Sequence, residues 1–147
     1  MLVIEKSLEF KAPPEDVWAV VRDHSRMPEW AQMRSVTITS PQTEGVGMTC
    51  ECDFGLFRAE ERVTEWQENR KIVHHIYAMG MPMTETWTLG PINNGTRFIW
   101  RQEVGASGFR SLMMPMMKWR MGKALDKALA NLKALIESED QGARRSS

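Results

Sequence analysis

The chain has 147 residues, enough for one domain that buries roughly two thirds of the surface its unfolded form exposes. Nineteen Lys and Arg balance nineteen Asp and Glu, so there is no broad basic field to attract a phosphate backbone or an anionic membrane, and nucleic acid is not an expected partner. No apolar run reaches the roughly 18 residues needed to span a bilayer, and the opening MLVIEKSLEF lacks a signal-peptide core; a cytoplasmic protein without an integral membrane segment is expected.

Leu2 to Lys11 alternates, with Ile4, Leu8 and Phe10 on one face, and reads as a strand. Ala12, Pro13 and Pro14 stop it. Pro14 suits the first turn of a helix, Glu15 and Asp16 sit where the helix dipole favours acids, and Val17, Trp18, Val20 and Val21 supply an apolar side. A second short helical turn is expected around Ser25 to Trp30, followed by a strand marked by Val36 and Ile38. Gly45 and Gly47 then introduce a meander.

In that meander Val46, Met48, Cys50, Cys52 and Phe54 share one face. Gly55 turns the chain into Leu56 to Trp66, Glu68 to Arg70 turn it again, and Lys71 to Met79 follows as a strand. After Gly80 and Pro82, the residues Met83, Glu85, Trp87 and Leu89 alternate with Thr84, Thr86 and Thr88. Pro91 to Gly95 is a turn by composition, because Asn-Asn-Gly readily supplies positive backbone torsions. The last strand, Thr96 to Val104, places Phe98, Trp100, Gln102 and Val104 together.

Phe109 to Ile136 carries an amphipathic helical pattern, with Met113, Met117, Met121, Leu125, Ala128, Leu132, Leu135 and Ile136 on one arc. Leucine and alanine fill its second half, whereas flexible thioethers that adapt to variable shapes fill its first. Phe109, Leu112, Met116 and Trp119 fall off this stripe. Pro115 would kink a helix interior but suits a first turn, so the segment before it reads as a separate turn or loop; if helical, the off-stripe residues form an apolar patch for a dimer, a protein partner or a membrane surface. Gln141 to Ser147 lacks apolar anchors and is expected to be a disordered tail.

Strand, two short helices, about six further strands and one long helix make an α+β fold: an antiparallel sheet of about seven strands curled around the terminal helix, in a single domain over residues 1–140. This order, with Ala12-Pro13-Pro14-Glu15-Asp16-Val17-Trp18, Met27-Pro28-Glu29-Trp30, Val63-Thr64-Glu65-Trp66 and Gly95-Thr96-Arg97, resembles the START-like or Bet v 1-like (SRPBCC) superfamily in its polyketide cyclase/dehydrase and lipid-transport branch. The resemblance covers nearly the whole chain. It implies a helix-grip fold with an elongated cavity between sheet and helix. It also implies either binding of a hydrophobic small molecule, such as a lipid, quinone or polyketide, or, in a minority of members, cyclisation, dehydration or hydrolysis.

Several polar side chains fall between apolar neighbours two residues away. Glu85, between Met83 and Trp87, is the candidate acid or base, since burial would raise its pKa. Gln102 sits likewise beyond Trp100 and could orient a ligand carbonyl or hydroxyl. Glu61 lies on the apolar side of its strand and is a possible second acid. His74 and His75 are adjacent, so only one faces inward: His75 if Val73, Tyr77 and Met79 form the inner face, His74 if Ile72 and Ile76 do. His75 is taken as the candidate proton carrier beside Glu85. Trp30, Trp87, Phe98, Trp100, Gln102, Met113, Met117 and Met121 are the candidate ligand contacts. Cys50 and Cys52, two apart in a strand, are expected to be reduced and buried. No metal-ligand spacing or cofactor motif is legible, so neither a metal nor a cofactor is expected.

Overall fold

The computed structural model describes residues 2–105 and 112–146, with residues 140–146 as backbone only. Strand β1 (Leu2–Phe10) leads through helix α1 (Pro14–Val21) and a 3-10 turn (His24–Glu29) to β2 (Ser35–Ile38), β3 (Thr49–Asp53), β4 (Arg58–Gln67), β5 (Lys71–Ala78), β6 (Met81–Ile92) and β7 (Gly95–Val104), and then to α2 (Met114–Ser146). The seven strands form one curved antiparallel sheet in the order β1-β7-β6-β5-β4-β3-β2. Strands β3 to β7 pair consecutively through short turns, β2 joins β3 through the loop 39–48, and β1 is brought to β7 by a long excursion that contains the whole meander.

The turn chemistry explains the meander. Asn69, Met79 and Asn94 have positive φ at 61°, 52° and 65°, a region asparagine tolerates better than most residues. Met79 shares its turn with Gly80, so β6 begins at Met81. Pro91 does not end β6: the strand runs to Ile92, with Pro91 opposite Thr96, and the reversal shrinks to Asn93 and Asn94. Val46, which the alternation groups with Met48, Cys50 and Cys52, precedes β3 and is exposed while those three are buried.

The sheet's concave face and α2 enclose the core. Leu125, Ala128, Leu129, Leu132 and Ile136 of α2 are buried against Ile4, Phe10, Trp87, Phe98 and Trp100, among others. Polar contacts fix the helix's second half to β1. Lys6 Nζ lies 3.3 Å from Asp126, the Lys11 backbone N–H donates to Glu137 at 3.2 Å, and Lys133 Nζ donates to the Glu9 carbonyl at 3.0 Å. Pro115 stands in the first turn of α2, where its missing N–H costs no intrahelical bond. Phe109 lies outside the described residues. The backbone of α2 remains helical to Ser146, through polar residues for which the sequence predicts no order.

Candidate functional site

Between the first half of α2 and the sheet lies a cavity of about 340 Å³, closed by Met27, Ala31 and Met33 from the early helical segment and by Met121, Leu125 and Ala128 from α2. Ile76, Met83, Trp87 and Trp100 from the sheet and Phe54 and Phe57 from the β3–β4 turn make much of the opposite wall. Its polar wall residues include Glu61, Glu85 and Gln102, with exposed Arg120 at the rim. A larger depression of about 900 Å³ shares Glu61, Ile76 and Met83 with it, but is lined by Thr39, Glu60, Arg62, His75 and Glu103. That depression is the more open and more polar of the two, so the chamber under α2 is the candidate site.

Strand register builds the polar end. His74 pairs with Glu85 across β5 and β6, and Glu85 pairs with Gln102 across β6 and β7, so the three side chains form a row on the inner face. Glu61 joins from β4, two residues before Val63, which is the partner of His74. All four are buried. Gln102 Nε2 donates to Glu85 Oε2 at 2.6 Å, and Glu85 Oε1 lies 3.8 Å from His74 Nδ1. Behind this row stands His24, buried in the 3-10 turn, with its Nε2 2.7 Å from His74 Nε2 and its Nδ1 3.2 Å from the Arg22 carbonyl.

The arrangement fixes where protons sit. Burial, then the charge of Glu61, pushes Glu85 up to about 8, against the opposing pull of Gln102 and the Trp100 and Trp87 indoles. Burial also raises Glu61, which accepts a bond from the Cys52 thiol at 2.7 Å. Burial lowers His24 to about 4 despite the Arg22 carbonyl and Asp23. Burial and then His24 lower His74, with only the Glu85 backbone carbonyl opposing. Both imidazoles are therefore neutral near pH 7. Because a carbonyl can only accept, His24 carries its proton on Nδ1 and accepts on Nε2, an assignment made from the bonding pattern. His74 must then donate from Nε2, which leaves its Nδ1 lone pair bare and turned towards Glu85.

That lone pair has no hydrogen-bond partner, and neither has Gln102 Oε1, while the Trp87 and Trp100 indole N–H groups act on Glu85 without making a hydrogen bond of good geometry. Gln102 thus brings an unpaired acceptor to the chamber wall, and the His74 lone pair stands unpaired beside Glu85. Buried groups of this kind are costly unless something completes them. Two sets of ligating atoms lie within 4.8 Å of one another: Glu61, His74 and Glu85, and separately Cys50, Cys52 and Glu61. Both cysteines are free and buried. The neighbouring Cys50 and then burial raise the Cys52 thiol further.

Of the residues singled out in the sequence, Glu85, Gln102, Trp87, Trp100 and Met121 line the cavity. His75 does not: it is exposed, and the inward histidine is His74, because β5 turns Ile72 and Ile76 inward and leaves Tyr77 and Met79 outside. Trp30 and Phe98 are fully buried behind the cavity wall, Trp30 at 5.4 and 5.7 Å from the Trp87 and Trp100 rings. Met117 packs on the core at its margin, and Met113 is half exposed. Met116 and Trp119 are exposed as well, with Lys123 Nζ 4.1 Å from the Trp119 ring centre. His24 was not legible as a site residue, since nothing in a 3-10 turn announces which side chain points inward.

A curved sheet closed by a C-terminal helix over an interior chamber is a helix-grip, ligand-binding fold. The model of the family described as polyketide cyclase / dehydrase and lipid transport matches residues 1–137, and the chain belongs to that family. No functionally curated protein matches it. Among solved structures, a protein from Thermobifida fusca is 19% identical with a TM-score of 0.79, over 92% of this chain and 93% of its own. A START superfamily protein from Mycobacterium smegmatis is 17% identical with a TM-score of 0.76, over 92% of this chain and 97% of its own. DynU16, described as a putative protein in the dynemicin biosynthetic locus, is 16% identical with a TM-score of 0.72, over 93% of this chain but 48% of its own. At these identities the likeness is one of fold. Among the described residues, no helix is long and apolar enough to cross a membrane.

Proposed function

We propose that this protein binds a hydrophobic small molecule of lipid, quinone or polyketide-like character in the chamber between the sheet and α2. The observation that carries this reading is the chamber itself, about 340 Å³ and walled mainly by apolar side chains, four methionines and four aromatic residues among them. That volume falls within the range of roughly 300–1,000 Å³ common to small-molecule sites. Its polar end supports a ligand with an acceptor oxygen, since Glu85, pushed up to about 8, lies on the wall and can donate the proton it carries near pH 7. The apolar body of such a ligand would lie along Met27, Met33, Phe57 and Met121. A homologous series of alkyl ketones tests this. Each methylene that enters the chamber contributes about 0.8 kcal/mol, so the Kd should fall about fourfold per carbon until the space is filled, and then level off. Affinity that shows no such plateau, or no saturable binding across ketone, fatty-acid and quinone series, would remove the proposal.

A second reading, an enzyme of cyclase or dehydratase type, draws support from Glu85, an acid on the cavity wall 3.8 Å from a histidine nitrogen. In it, Glu85 exchanges a proton with a bound polyketone while His74 takes the place given to His75 in the sequence reading. Glu85→Gln is expected to abolish turnover of such a substrate and to change its binding by less than about tenfold. Turnover that survives the substitution would eliminate this reading.

A further inference from the structure

Glu61 and Glu85 come from separate strands into one buried space, and among the described residues the only basic group within ion-pair reach of either is the ring of His74, 3.8 Å from Glu85. Two buried carboxyl groups side by side need protons or a cation. The third member of the group is already prepared for a cation. The Arg22 carbonyl orients His24, His24 accepts from His74 Nε2, and His74 Nδ1, fully buried and without a hydrogen-bond partner, lies 3.8 Å from Glu85 Oε1. Metal-bound histidines are held in this way, with the far nitrogen donating to an outer partner that fixes the tautomer.

We infer that Glu61, His74 and Glu85 form a site for a divalent transition cation of the zinc, manganese or iron(II) type, with His24 as its outer partner and an open position facing the cavity. One imidazole nitrogen and two carboxylate oxygens suit these ions, and the two carboxylates balance the double charge. Ligands about 2.1 Å from a tetrahedral ion stand roughly 3.4 Å apart. His74 Nδ1 and Glu85 Oε1 are already at 3.8 Å, and the whole set lies within 4.8 Å, so closing on an ion needs only small rotations of the flexible glutamates. Gln102, whose Oε1 is buried and unpartnered, holds Glu85 in place and offers a further oxygen. The group formed by Cys50, Cys52 and Glu61 is the weaker alternative, because Cys52 is already bonded to Glu61. Three protein ligands leave a position that can take an oxygen, and Glu61 and Glu85 both face the chamber. That the oxygen belongs to the bound apolar molecule rests on the function proposed above; the cation site itself does not.

The test uses the full chain freed of metal with EDTA and titrated with Zn²⁺ by calorimetry and with Co²⁺ by visible absorption. One equivalent is expected to bind with a Kd in the micromolar range or tighter. Glu85→Gln and His74→Ala should each weaken it at least tenfold, whereas the exposed-site control His75→Ala and the double variant Cys50→Ser, Cys52→Ser should leave it within about twofold. No uptake of either ion, uptake indifferent to Glu85→Gln and His74→Ala, or uptake lost with the cysteines would overturn the assignment. Should a variant fail to fold, the Co²⁺ spectrum of the unsubstituted protein still decides. Ligand-field bands without thiolate charge transfer are expected, and a thiolate band contradicts the site. Saturable ketone binding in EDTA with no metal uptake would remove this inference alone; metal uptake with no ketone binding would remove the ligand reading alone.

Discussion

Period-two alternation carries a clear message only where the two faces of a strand differ. Glu85 and Gln102 stand between large apolar residues and alternate with threonines or charges, and both are buried as their neighbours imply. His74 and His75 sit where both phases offer apolar company, Ile72 and Ile76 on one side and Val73, Tyr77 and Met79 on the other. The choice between them was settled only by the sheet, which leaves Tyr77 and Met79 each more than half exposed. A pair of substitutions brings out the difference. Trp87, buried among Trp30, Phe98, Trp100 and both inner histidines, should cost about 3–5 kcal/mol when replaced by Ala. His75→Ala should stay within about 0.5 kcal/mol. Urea unfolding of the two variants checks both values, and a large loss at His75 would mean that the register of β5 is wrong.

The elements themselves were largely legible, because prolines, glycines and asparagines mark their ends. The functional division of the last helix was less so. The methionine-rich half reads as a single ligand-facing stretch, yet only Met121 of the three stripe methionines reaches the cavity wall, while Met117 packs at its margin and Met113 lies outside. The physical reason is the start of α2 at Met114, which leaves Met113 before the helix, where helical periodicity no longer sets its direction. The metal-ligating set was invisible for a related reason: its members come from three strands, and only their register brings them together. Register also makes Gly95 sensitive. A Cβ there would collide with the Phe10 carbonyl oxygen, so β1 and β7 would have to part at their paired ends. Gly95→Ala should therefore destabilise by more than about 1 kcal/mol and lower the Tm measurably. An unchanged melting curve would show that this end of the sheet is loosely held.

At the scale of the whole molecule, the architecture separates two tasks. The second half of α2 is fixed to β1 by Lys6, Lys11 and Lys133 and fills the core with leucine, alanine and isoleucine. The first half stands off the sheet far enough to leave a chamber whose far wall bears Glu61, Glu85 and Gln102, with His74 beside Glu85 in the same row. Twelve methionines make this division directly visible. Methyl-labelled methionine spectra, followed by NMR during titration with a long-chain alkyl ketone, report on both surfaces at once. Saturable shifts are expected at Met27, Met33, Met83 and Met121, which line the chamber, with Met113 and Met116 unmoved on the outside. Shifts confined to Met113 and Met116, or no saturable shift at any of the four chamber methionines, would contradict a ligand site beneath the helix.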